Sequence, residues 1–366
     1  MIKSNMSRLG GIAWGGKKIF LLSSLLMAAF VLSGCGSTST TTKQVPLSMA
    51  DATLIKSEDG GKTWNPKTRI DDRKTIAGIN VLSLAINPLN SNEIYIGSEG
   101  NGLFMTKNGG NSWENVAFAN KVYGLFFDPQ NPDLIYASGV YNKRAKIYKR
   151  LEEGQEWKEI YTEPSDNTTI SALAFDKNNS QIIYAGTSEG VILKTTDGGA
   201  NWASLGKADG PIIGIVFDSA DSSHVFFGVF QKGVMESKDG GKTIEDIAKK
   251  FSSGIGSLSL FTIVADPYLS GVVYVGTKEG IYRRSQDENW TEVKIIESSK
   301  AFPIRAIAIN PGNSKEIFYS SAKAIYKSSD FGETWATFQL DTGKEISVLR
   351  YDDADSFKIY AGLRKF

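Results

Sequence analysis

Histidine and cysteine are nearly absent: the 366 residues hold one of each, His224 and Cys35. A lone cysteine cannot close an internal disulfide, and a lone histidine cannot build a histidine-rich metal site. A Ser/His/Asp or Cys/His nucleophilic centre would have to rest on His224. That residue falls in the turn 218–225, where a solvated turn residue is expected. An excess of either charge is lacking too: 41 Lys+Arg face 40 Asp+Glu, so the overall balance gives no reason to expect nucleic acid as a partner. No calcium, zinc, phosphate or dinucleotide signature stands out, and neither a metal nor a cofactor is expected. The 41% hydrophobic and 22% charged residues suit a folded globular chain.

The only long apolar run is short for a membrane span. Lys3, Arg8, Lys17 and Lys18 precede residues 19–32, IFLLSSLLMAAFVL, and a helix crossing a bilayer needs about 20 such residues. A basic start, a short apolar middle and a small-residue end describe a secretory signal. The end reads Leu32-Ser33-Gly34-Cys35, which resembles the lipobox of bacterial lipoproteins. That resemblance implies a signal peptide over 1–34, cleavage before Cys35, and lipidation of Cys35. Residues 36–50, GSTSTTTKQVPLSMA, complete a flexible tether over 35–50. The expected location is the cell membrane or outer membrane, with the rest of the chain outside the cytoplasm. Loss of 1–34 removes four basic and no acidic side chains, taking the formal charge from +1 to −3.

Beyond the tether one unit repeats. Six of the seven tryptophans stand at 64, 113, 157, 202, 290 and 335, a period of about 45 residues once Ile244 fills the missing place. Such a period belongs to four-stranded propeller blades. Each unit offers four strand signals: an apolar run ending in Asp or Asn, such as VLSLAIN (81–87); a second, such as EIYIG (93–97); a third, such as AIYKS (324–328); and a fourth beginning at the tryptophan.

Between the third and fourth strands lies the most specific motif. Ser57–Trp64 and Ser328–Trp335 both fit S-x-D-x-G-x-T-W, which resembles the Asp box, or BNR repeat, of sialidase-like and sortilin-like propellers. Thr106–Trp113 and Thr195–Trp202 fit with substitutions, and Ser237–Ile244 lacks only the tryptophan. Arg150–Trp157 is degenerate and Ser285–Trp290 is shortened. In such a turn Asp or Asn accepts backbone N–H bonds, Gly supplies positive φ, and Trp packs between sheets. Asp59, Trp64, Asn108, Trp113, Asp197, Trp202, Asp239, Asp330 and Trp335 are therefore read as fold staples, and the resemblance places them away from the ligand face.

Six complete units run from 81 to 338, preceded by a third and fourth strand within 52–66 and followed by a first and second within 346–362. These halves are complementary. Their pairing makes a seventh blade and removes exposed sheet edges, so the expected fold is an all-β, seven-bladed propeller over 51–366, closed by its two ends.

One face of such a ring carries the fourth-to-first and second-to-third connections, where propellers commonly bind. There the candidate partner-binding residues are Tyr141, Lys143, Arg144, Lys146, Lys232, Lys323 and Arg305, a basic arc with an aromatic suited to a carboxylate-rich partner. Arg305 and Arg350 replace apolar or neutral residues in inner strands, and each is expected to meet a carboxylate or to line a wet central channel.

Sialidases of the Asp-box type use three arginines, the first in an F/Y-R-I/L-P motif before the first box. Here no Arg lies between Arg8 and Ser57, and Phe302-Pro303-Ile304-Arg305 is a late, permuted imitation. Xyloglucanase-type hydrolases with Asp boxes use two propellers and a cleft between them, while this chain has length for one. Glu163, Asp166 and Asp209 are carboxylates that no spacing singles out as a catalytic pair. The chain looks like exported single-propeller relatives similar to photosystem II assembly-factor-like proteins, which are non-catalytic platforms for partner proteins; its repeat units resemble the general BNR/sortilin-like class more than the photosynthetic group. That resemblance implies no catalytic residues and a protein or peptide partner, with a glycan-binding or glycan-cleaving propeller as the alternative.

Overall fold

A computed structural model describes residues 47–151, 156–247, 259–296 and 302–366. Cys35 and its lipobox lie outside the described residues. The chain separates into Met1–Thr42 and Lys43–Phe366, and the second unit is the propeller.

Every regular element among the described residues is a strand, and the strands form seven four-stranded antiparallel sheets. Six sheets are sequential, over 81–116, 122–166, 170–207, 212–246, 260–293 and 306–339. The seventh joins the ends, in the order Asn65–Pro66, Leu54–Ser57, Ile359–Arg364, Glu345–Tyr351. Its register sets Leu54 against Gly362, Ile55 against Ala361, Lys56 against Tyr360 and Ser57 against Ile359. The seven-bladed, end-closed propeller read from the repeats is thus the observed fold.

The core lies between blades. A typical cluster joins Leu54 and Tyr360 of the closing blade to Leu84, Ile94, Phe104 and Trp113 of the next. The second strands are apolar on both faces because both faces meet neighbours; Val225–Val229 and Val273–Thr277 are buried at every position. At one register of these strands every blade carries a large aromatic: Tyr95, Tyr136, Tyr184, Phe226, Tyr274, Phe318 and Tyr360, none more than 2% exposed. These rings press on the following blade. Phe318 fills the space beside Gly61, where a Cβ would stand 2.4 Å from the ring.

The Asp boxes form the opposing half of that contact. Trp113 Nε1 donates to Lys67 O (2.8 Å), Trp202 Nε1 to Ile160 O (3.1 Å) and Trp335 Nε1 to Lys294 O (2.7 Å), each reaching the outermost region of the preceding blade. Within the box, Thr63 N and Oγ1 donate to Asp59 at 2.9 and 2.7 Å, and the same pattern recurs at Asp239 and Asp330. Asn108 accepts from Ser112 N and donates its Nδ2–H to Ser112 Oγ, whereas Asp197 accepts from both Asn201 N and Asn201 Nδ2. These hydrogen bonds from the residue four positions on hold the carboxyls of Asp59, Asp197, Asp239 and Asp330 at about 2.

Candidate functional site: the connection face and the channel

Innermost strands run from the connection face toward the Asp-box face, so their first residues ring one mouth of the central channel. Leu82, Tyr123, Ser171, Ile213, Arg305 and Ser347 line that end of a cavity of about 630 Å³. Arg305 is the one cation among them. Its guanidinium donates to Glu345 Oε2 (3.2 Å) and lies between two rings, 4.9 Å from the centroid of Phe261 and 3.7 Å from that of Phe366. Phe230 meets Phe261 edge-on at 5.6 Å, extending the aromatic surface outward. The expected pairing of this arginine with a carboxylate is what the structure contains.

The hairpin at 141–144 rises on the same face. Asn142 and Lys143 adopt positive φ (48° and 68°), which makes a two-residue turn and leaves the Lys143 side chain in solvent. Tyr141, 40% exposed, sits edge-on against Phe118 (6.4 Å) and Tyr148 (5.7 Å), and Phe118 packs on Trp157 at 4.7 Å. Burial among these rings, with help from the Glu159 charge, pushes the Tyr148 hydroxyl up to about 12.

Not all of the basic arc is free. Arg144 is paired with Asp166 (3.0 Å) and Lys146 with Glu159 (2.6 Å), both acids lying on the outermost strand of the same blade. Sequence distance hides these partners; only the strand register brings Arg144 opposite Asp166. Lys143, Lys232 and Lys323 stand at exposed hairpin tips and make no ion pair among the described residues. The arc therefore narrows to three free lysines around a mouth that holds Arg305.

His224 corrects the sequence reading. Its ring is mostly buried (13% exposed), tilted against Phe226 at 4.4 Å, and Nε2 donates to Glu236 Oε1 at 2.6 Å. The turn folds back over the third strand of its own blade, and Glu236 on that strand gives the imidazole a buried acceptor.

Residues 42–173 match the family model described as Photosynthesis system II assembly factor YCF48. The chain is an Asp-box propeller similar to YCF48. Among solved structures, YCF48 bound to D1 peptide is 16% identical, with a TM-score of 0.60, covering 81% of this chain and 97% of that one. YCF48 from Cyanidioschyzon merolae is 14% identical (TM-score 0.58), covering 78% of this chain and 95% of that one. The GH74 xyloglucanase from Xanthomonas campestris is 15% identical with a TM-score of 0.67; the match covers 78% of this chain but only 51% of the enzyme. At such identities these likenesses establish the propeller fold alone. No curated protein matches the sequence.

Proposed function

We propose that this YCF48-like propeller is a non-catalytic, exported lipoprotein, anchored through Cys35, that holds a protein or peptide partner on its connection face. The observation that carries the reading is the arrangement of Lys143, Lys232 and Lys323, exposed and unpaired, around a mouth built from Arg305, Phe261 and Phe366. Cations at the rim steer an acidic segment, and aromatic rings at the centre supply contact area at small entropic cost. The match over 97% of a YCF48 structure bound to D1 peptide supports a protein or peptide partner.

The test is affinity capture from solubilised envelope with the wild-type chain and with a Lys143→Glu/Lys232→Glu/Lys323→Glu variant. Loss of one specific partner with the variant, at unchanged thermal stability, is expected. Turnover of β-glucans or sialosides by the purified protein would overturn the non-catalytic reading. Anchoring is tested separately: Cys35→Ser is expected to move the protein from the membrane to the soluble fraction.

A further inference from the structure

The central channel has a second mouth, on the face of the Asp boxes. Box and first-to-second-strand turn lie together there, as the bonds from Gly109 N to Asn92 O (2.9 Å) and from Gly198 N to Gln181 O (3.0 Å) show. A cavity of about 370 Å³ opens at this mouth, ringed by Pro88, Pro129, Pro267 and Pro311. Its lining side chains are apolar except for Arg350, Tyr351 and Asp353. Two positions before the terminal Asp or Asn of each innermost strand stand Ala85, Phe126, Ala174, Val216, Val264 and Ala308; in the closing blade the residue is Arg350. Arg350 borders both this cavity and the larger one.

Among the described residues, the arginines that are buried or half-buried are engaged. Arg284 donates to Glu236, Arg150 to the hydroxyl of Tyr95, and Arg305 to Glu345. Arg350 stands apart: among the described residues no hydrogen bond or ion pair holds its guanidinium, which is open to channel water. Surrounding protein still strips part of its solvation, which lowers its pKa, while the Asp353 charge at the same mouth works the other way. Burial likewise raises the Asp353 carboxyl, against the opposing pull of Arg350. A cation in that position gains from any anion that replaces the lost water.

We propose that this mouth binds a small monocarboxylate with an apolar body, its carboxylate on Arg350 and its hydrocarbon part against Phe127, Val264 and Leu349. A planar guanidinium takes a carboxylate through two parallel N–H···O bonds, which selects that anion over a spherical one. The volume lies within the ~300–1,000 Å³ typical of small-molecule sites. Asp353 places a negative charge beside the site, so a second negative charge on the ligand is repelled. The site is independent of the partner-binding face, which is at the other end of the channel.

Titration calorimetry of the full chain with three probes tests the assignment: 3-phenylpropionate, its neutral amide, and succinate. Saturable binding of 3-phenylpropionate alone is expected, weakened at least about tenfold in Arg350→Met. Arg350→Met restores the apolar character of the column, so thermal unfolding should be unchanged. Should that variant fail to fold, Arg350→Lys keeps the charge without the planar fork and is expected to bind severalfold more weakly. Asp353→Asn should raise the affinity for succinate. Failure of 3-phenylpropionate to saturate, equal binding of the amide, or undiminished affinity in the folded Arg350 variant overturns the proposal.

Discussion

Arg284 Nη2 lies 2.9 Å from Glu236 Oε1, with 2% and 3% of the two side chains exposed, and this pair joins two blades where the recurring contact is missing. Elsewhere a lysine near the end of the third strand donates to the first glycine carbonyl of the next Asp box: Lys149 to Gly198 (3.2 Å), Lys194 to Gly240 (2.7 Å) and Lys327 to Gly60 (2.8 Å). The following residue is Ser or Thr in five boxes, where its hydroxyl oxygen accepts from the N–H of the glycine four positions on at 2.7–3.1 Å. The box at 285–290 is shortened and offers no such glycine. Glu236 then takes the lysine position, Arg284 takes the hydroxyl position, and the polarity of the contact is reversed. The carboxylate also accepts from His224, and Arg284 donates further to Gly271 O at 2.7 Å.

A buried pair is costly to break because the survivor is left without its counter-charge. Arg284→Met and Glu236→Gln are each expected to lower stability by about 3–5 kcal/mol. Removing both charges should cost less than the sum of the single losses. Urea unfolding of the four proteins as a double-mutant cycle measures the coupling.

Acid should weaken the ring through its carboxylates. Burial raises the Glu236 carboxyl, but the bond from His224 and the charge of Arg284 outweigh it and hold it below its ordinary value. The Asp-box carboxyls sit at about 2 in the folded chain. Folded values below the unfolded ones mean that the stabilisation is complete above the unfolded carboxyl range, near pH 4, and is lost as pH falls toward 2. Thermal midpoints should therefore drop steeply between those values. Asp330→Asn should reduce the slope while retaining the fold, since Asn108 already holds its own box through Ser112 N at 2.8 Å.

Blade number and closure were legible because each rests on local, repeated signals: the tryptophan period, the Asp-box residues and the complementary half units. Partners that depend on register were not. Arg144 and Lys146 read as free because their acids lie 22 and 13 residues further along the chain, across the outer strand pair. His224 read as solvated because the residue that buries it, Glu236, belongs to the neighbouring strand. One signal did point to the Arg284 network: Arg replaces Ser or Thr only at 150 and 284, the two blades whose boxes are irregular.

The two glycines of one box should respond differently to a methyl group. Gly60 and Gly61 both have positive φ (71° and 86°), so alanine strains either backbone. A Cβ on Gly60 would meet nothing closer than 3.6 Å, whereas on Gly61 it would lie 2.4 Å from the Phe318 ring. Gly60→Ala is expected to cost about 1 kcal/mol. Gly61→Ala should add about 1–3 kcal/mol of overpacking to that. Gly61→Ala combined with Phe318→Leu should recover part of the loss, and chemical denaturation of the three variants decides it.

Closure predicts how damage spreads. Ile55 is fully buried, pairs with Ala361, and packs in a cluster with Phe318, Ile325, Tyr351 and Ile359. Ile55→Ala removes three carbons from a close-packed site and is expected to cost about 2–5 kcal/mol. Leu54–Ser57 lies between Asn65–Pro66 and Ile359–Arg364, so its loosening would uncover the edge of the strand from the far end of the sequence. Hydrogen exchange in the variant should then quicken in Ile359–Arg364 together with Leu54–Ser57, and less in Val225–Val229 across the ring. Faster exchange confined to 54–57 would mean that the two ends do not support one another.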